Sequence, residues 1–236
     1  MNLNYQSPIT GETYPMRRSK YAMNYSPVIV SDNMSGKMEG IPSISTSVLE
    51  NPICQKRRAQ ENSICKKCFA ASTAARYGSL AKNIASNLNL LMGEILPENM
   101  LPVFIPELAS IVRFESFGDI ANVNQAINYL NIAKVNPRVR FAIWTKNIGI
   151  LAKAVEQVGK PENIRIIYSA PIINQEINVE KTQRTFSCID AVFTVYDKKY
   201  VAENNTEINC GAKSCITCRN CYDRPDFYSD IKELLK

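Results

Sequence analysis

Apolar and hydroxyl residues alternate over Ile41–Thr46 (IPSIST), the period-two pattern of a short strand. After a cysteine-bearing stretch, Ala74, Tyr77, Ala81, Ile84, Leu88 and Leu91 recur at three- and four-residue steps, which predicts one face of a long helix. Val112–Phe117 then reads as a strand, and Val123, Ala126, Ile127 and Leu130 mark a helix face. Val139–Thr145 (VRFAIWT) is a buried-strand candidate, followed by a helix stripe of Ile148, Leu151, Ala152 and Val155. Ile164–Ser169 and Ala191–Tyr196 are two further strands. This alternation predicts an α/β fold with a parallel sheet and right-handed crossovers. The five strand candidates are too few to close an eight-stranded barrel, so a partial (β/α) barrel or open parallel sheet is expected.

Three regions follow from the pattern. Residues 1–40 are Tyr-, Ser-, Asn- and Pro-rich without a sustained period and read as an N-terminal arm. Residues 41–204 form the α/β core, and 205–236 a cysteine-rich C-terminal segment. In parallel α/β architectures the site lies at the carboxyl ends of the strands. Those ends are the loop after Thr46 carrying Cys54, Cys65 and Cys68; Ser116, Gly118 and Asp119; Thr145 and Lys146; Ser169–Ala170–Pro171; and Tyr196–Asp197.

Composition narrows the chemistry. At 45% hydrophobic residues over 236 positions, the chain can bury a substantial core without cross-links, so its eight cysteines need another explanation. The first twenty residues lack an apolar signal-peptide core, and acidic residues and prolines interrupt Leu88–Phe114. A cytoplasmic protein without a membrane span is therefore expected, in a compartment where clustered thiols serve metals more often than disulfides. The absence of histidine excludes Ser-His-Asp and Cys-His catalysis and mixed Cys/His zinc sites. A formal charge of +6 is compatible with nucleic-acid binding and equally with plain solubility.

The cysteines fall into two groups. Cys210, Cys215, Cys218 and Cys221 are separated by four, two and two residues, a run that lets successive thiolates converge on one centre. Such spacing favours an iron–sulfur cluster and leaves tetrahedral zinc as the alternative at this four-cysteine site. Cys54, Cys65 and Cys68 would leave a [4Fe–4S] cluster with one iron free of protein ligand, open to a small molecule. Alternatively, Cys65 and Cys68 join the later cysteines in one structural site. Cys188, alone before an apolar strand, reads as core. Lys56, Arg57, Arg58, Lys66 and Lys67, between the first three cysteines, suit an anionic cluster, nucleic-acid phosphates or simple solvation. Gly118 permits close backbone approach and Asp119 can hold an ammonium group, although Gly-Asp is also a common turn.

Several of these segments, in this order, resemble the phage "gene product 88" family. The resemblance rests on Asn33–Lys37, Gly40–Ser45, the Cys54 loop through Cys68-Phe69-Ala70, Arg76-Tyr77, Asn87, Arg113 through Asp119, Trp144-Thr145-Lys146, and Cys215, Cys218, Cys221 and Tyr222. That family in turn is similar to the radical S-adenosylmethionine (radical SAM) enzymes. The similarity implies a [4Fe–4S] cluster on Cys54, Cys65 and Cys68 that chelates S-adenosylmethionine and cleaves it by one-electron reduction. It also implies that Ser116, Gly118 and Asp119 contact this small-molecule cofactor, with Thr145, Lys146 and Ser169 lining the rim. A reductant such as flavodoxin or ferredoxin would then be a partner. The Cys54–Cys65 spacing of ten intervening residues departs from the usual three. A contrasting expectation is a thiolate-metal module that grips nucleic acid through its basic loop.

Overall fold

A computed structural model of the chain describes residues 3–223 and 230–235. A short antiparallel hairpin, β1 (Asn4–Gln6) and β2 (Thr13–Pro15), precedes a six-stranded sheet. The sheet strands are β3 (Ser43–Ile44), β4 (Ile111–Phe114), β5 (Arg140–Thr145), β6 (Ile164–Ser169), β7 (Ala191–Tyr196) and β8 (Asp230–Leu234). All five pairings are parallel, and the spatial order equals the chain order, β3-β4-β5-β6-β7-β8. Strand order therefore never reverses, unlike in a doubly wound sheet with its switch point. The result is the open parallel sheet expected from sequence, with the winding of a partial barrel.

Side chains alternate between the two faces. Val112, Phe114, Phe141, Ile143, Ile164 and Ile166 point to one side, into the main core. There they meet α3 (Gly78–Gly93), α4 (Val123–Lys134) and α5 (Ile148–Val158) through Leu90, Leu91, Ile127, Leu130, Leu151 and Ala154. Phe114 stacks between Tyr129 and Phe141, with ring centroids 4.4 and 5.1 Å away. Tyr5, Tyr14, Tyr21 and Val28 of the N-terminal region are buried in this same core. Asn87 in α3 holds that region in place: it accepts from Ile29 N (2.8 Å) and donates to Ile29 O (2.9 Å) and Ser45 O (3.0 Å).

On the other face lie Ile111, Ala142, Trp144, Ile167, Ala191, Phe193 and Ile231. Here the cysteine-rich segment provides the cover, through Cys210, Cys215, Cys221 and Tyr222. With both faces covered, the strands can be as apolar as they are.

Strands β3 and β4 are shorter than the expected Ile41–Thr46 and Val112–Phe117, β4 ending where Glu115 turns to φ +57°, and two further elements differ from the sequence pattern. The long helix predicted across Ala74–Leu91 is two, α2 (Phe69–Arg76) and α3, because Tyr77 adopts φ −114°, ψ 94° between them. The sixth strand, β8, lacks a sustained apolar alternation (DIKEL) and was not predicted. Helices α6 (Val179–Thr185) and α7 (Lys198–Asn204) are short connections before β7 and after it. Among the described residues, no helix is long and apolar enough to cross a membrane.

Candidate functional site

The Cys54 loop is built by local capping. Asn51 Oδ1 accepts from Ile53 N (2.9 Å) and Cys54 N (3.3 Å), and Pro52 follows at the first helical position, starting α1 (Pro52–Arg58). Ser63 Oγ accepts from Cys65 N (3.1 Å) and opens a 3-10 turn, Ile64–Lys67. Three contacts then fix the loop on the carboxyl rim of the sheet. Asn51 Nδ2 donates to Asp119 O (2.7 Å), Arg57 Nη2 to Lys146 O (2.9 Å), and Ile64 N to Pro171 O (3.0 Å). The loop thus spans the ends of β4, β5 and β6. A cavity of about 340 Å³ opens beside α1, lined by Ile53, Lys56, Arg57, Gln60 and Asn147.

The turn after β4 carries the densest polar chemistry. Glu115 is buried and has φ +57°, a left-handed conformation costly for a residue with a side chain. Its Oε1 accepts from Gln125 Nε2 (2.5 Å), Tyr129 Oη (2.6 Å) and Thr46 Oγ1 (2.8 Å), and its Oε2 from Thr46 N (3.1 Å). Burial dominates and raises this carboxyl from 4.5 to about 8, against the opposing effect of the Tyr129 and Thr46 bonds. Gly118 follows at φ +89°, and a Cβ there would lie 2.6 Å from each of Glu115 Oε2, Thr46 O and Thr46 Oγ1. Glycine is obligatory at this position for both reasons.

The predicted rim residues are brought together, each differently engaged. Asp119 is buried; its carboxylate accepts from Thr145 Oγ1 (2.6 Å), Ile120 N (2.8 Å) and Lys146 N (3.0 Å). It therefore already braces the protein. Ser116 keeps a buried hydroxyl without a hydrogen-bond partner. Ser169 is buried at the end of β6. Cys54 is pushed well above the usual thiol range by burial, then by the negative charge of Asp119, Glu115, Cys65 and Cys68. The three cysteines and the Gly118–Asp119 turn are thus neighbours.

The C-terminal cysteines occupy a different place. Cys215 starts α8 (Cys215–Cys218), capped by Ser214, and Cys221 lies in α9 (Asn220–Asp223). Arg219 sits between them at φ +53°, donates to Ser110 Oγ (2.9 Å) just before β4, and pairs with Asp223. Arg165 Nη1 donates to Asn220 O (2.6 Å), and Cys210 N to Lys232 O of β8 (3.0 Å). Burial pushes Cys221 up to about 12, with Cys210 and Cys215 adding to the rise and Arg165 and Arg113 opposing it. The groups bearing on Cys54 come from the rim, whereas those bearing on Cys221 come from the face opposite the helices. The two cysteine groups are two separate locations.

All eight cysteines are free thiols. Cys188 is buried in the main core, as its sequence context predicts. Among the described residues, no three His, Cys, Asp or Glu side chains converge closely enough to hold one metal ion. A single zinc with 2.3 Å bonds draws its sulfurs to about 3.8 Å from one another. A [4Fe–4S] cluster binds each thiolate to a different iron and spreads them over the whole cube. The thiols of both groups are soft donors of the kind that thiolate-bound metals and clusters use.

Sequence reasoning passed over Glu115, Arg113 and Arg165 as functional residues. The signal was present, since each is a charged residue within or at the end of an otherwise apolar strand (IVRFE and IRIIYS). Lys37, whose Nζ lies 3.9 Å from Cys210 Sγ, had no such signal.

The fold and its two thiol groups define a parallel α/β protein with cysteines on the rim and on one face of a sequentially ordered sheet. The family model described as Gene product 88 matches residues 33–229, and the chain belongs to that family. No curated protein and no solved structure matches it.

Proposed function

We propose that this is a cytoplasmic iron–sulfur protein of radical SAM-like type. Cys54, Cys65 and Cys68 would hold a [4Fe–4S] cluster with one iron open, and Cys210, Cys215, Cys218 and Cys221 a second cluster. The observation that carries the reading is the placement of the three-cysteine loop. It leaves the carboxyl end of the first strand in a sequentially ordered parallel sheet and lies against the Gly118–Asp119 turn after the second. When bound, such a cluster supplies an electron to a chelated sulfonium cofactor.

The chain's own residues would bind and orient that cofactor. Gly118 brings backbone close to the rim, and the buried Ser116 hydroxyl has hydrogen-bonding capacity to spare. Asp119 and Thr145, tied together, fix where Lys146 and the Cys54 helix stand. A flavodoxin or ferredoxin is the class of reductant this chemistry needs.

The test is the iron, acid-labile sulfide and zinc content of anaerobically purified protein, with electron paramagnetic resonance (EPR) spectra before and after S-adenosylmethionine. Iron and sulfide near two clusters per chain, with a spectrum perturbed by the cofactor, is the expected result. A fully reconstituted protein that binds no S-adenosylmethionine sinks the enzyme reading.

A second reading is favoured by one surface. Lys56, Arg58, Lys66 and Lys67 are exposed on the cysteine loop, and Phe69 and Tyr77 are exposed beside it at 70% and 55%. Cations with stacking rings suit single-stranded nucleic acid. Zinc without sulfide, together with strongly salt-dependent affinity for nucleic acid, would establish that reading instead.

A further inference from the structure

Arg113 stands in β4 on the sheet face that the cysteine-rich segment covers. Its guanidinium carbon lies 3.9 Å from the centroid of the Trp144 ring, and Nη1 lies 3.7 Å from Met38 Sδ. Its Nε is buried and hydrogen-bonded to nothing, and among the described residues no carboxylate pairs with this cation. A ring and a thioether do not neutralise a positive charge. Arg113 is half-buried, and its buried Nε, left unsatisfied by the protein, together with its unneutralised charge, favours an anion beside it.

The groups packed around Trp144 identify that anion. Cys215, Cys221 and Tyr222 share its apolar cluster, and Tyr222 meets the indole edge-on at 6.1 Å. Lys37 Nζ lies 3.9 Å from Cys210 Sγ and is already paired with Glu233 at 2.6 Å. Neutral thiols offer Arg113 almost nothing. Four thiolates around a divalent metal or a cluster core carry net negative charge, as this cation requires.

We propose that Arg113 is the counter-ion of the C-terminal thiolate centre, held over Trp144 against Cys215 and Cys221, where it secures the metal and raises the centre's reduction potential. This inference rests on the metal-centre reading of the C-terminal cysteines. One-electron reduction adds a negative charge to the cluster, and a fixed neighbouring cation favours the more negative state. Arg113 is a positioning and charge-balancing residue that contacts no substrate.

The experiment uses the full-length chain with Cys54, Cys65 and Cys68 replaced by serine, so that only the C-terminal centre can load. It compares Arg113 with Arg113→Lys, Arg113→Met and Arg113→Gln, the last keeping a planar polar head on Trp144 without charge. Bound iron, sulfide and zinc are followed during a chelator challenge, and the midpoint potential is taken from a redox titration read by EPR. Both neutral variants should lose metal several-fold faster and, where iron is present, titrate at more negative potential, while Arg113→Lys stays near the parent. A parent that loads metal, with neutral variants matching it in retention and potential, overturns the counter-ion role alone. A parent that takes up neither iron with sulfide nor zinc overturns that role and the metal-centre reading together.

Discussion

Thr145 Oγ1 donates to Asp119 Oδ1 at 2.6 Å, closing the end of β5 onto the turn after β4. The preceding residue of the same strand, Trp144, faces the other way and joins the apolar cluster against which Cys215 and Cys221 also pack. Two successive residues of one strand therefore touch the surroundings of both thiol groups. Period-two alternation is what allows it, since one side chain faces the helix side and the next the opposite side.

If Asp119 is a brace, removing its carboxylate weakens the rim. Asp119→Ala leaves the Thr145 hydroxyl and two backbone amides without their acceptor. The expected loss is about 2–3 kcal/mol of unfolding free energy, measured by urea denaturation. Thr145→Val, which removes one donor, should cost about 1–2 kcal/mol.

Gly118 should tolerate no side chain. In Gly118→Ala a methyl group would meet the Thr46 carbonyl at 2.6 Å in a conformation that alanine already disfavours. A destabilisation of at least about 2 kcal/mol is expected in the same measurement. Unchanged stability would mean that the turn can move away from Thr46.

Glu115 predicts a pH dependence of defined sign. Its carboxyl ionises near 4.5 in the unfolded chain and near 8 in the folded one. The folded state holds the extra proton between those values, so the contribution to stability is full below pH 4.5 and is lost as pH rises through 8. Unfolding free energy measured from pH 4 to pH 9 should show this fall in the parent, and Glu115→Gln should flatten it.

Two separate thiol locations predict two separable metal pools. Serine at Cys54, Cys65 and Cys68 should remove only the iron that responds to S-adenosylmethionine. Serine at Cys215 and Cys221 should remove only the remainder. Iron and sulfide counted per chain, with EPR, distinguish this from a single shared centre, which either set of substitutions would abolish entirely.

How much was legible in the sequence differs by element. Ile164–Ser169 and Ala191–Tyr196 were delimited to the residue, because continuous apolar strands between polar loops leave little choice of boundary. The helix break at Tyr77 was hidden, since apolar spacing continues across it while the backbone does not. Strand β8 was hidden because it pairs only with β7 and three of its five residues are charged.

By itself, the sequence determined the parallel α/β class, the two cysteine groups, the glycine turn after the second sheet strand and the absence of any histidine ligand. These depend on local spacing and residue chemistry, which a linear chain displays. The tertiary structure alone decided that the cysteine-rich segment covers the sheet face opposite the helices, that Lys37 reaches Cys210 while Arg113 lies over Trp144, and that Glu115 is buried beneath four donors. The residues involved are separated by as many as 196 positions, as in the Lys37–Glu233 pair. Contacts at that separation arise from the order in which strands pair and from the burial it imposes, and no periodicity along the chain records either.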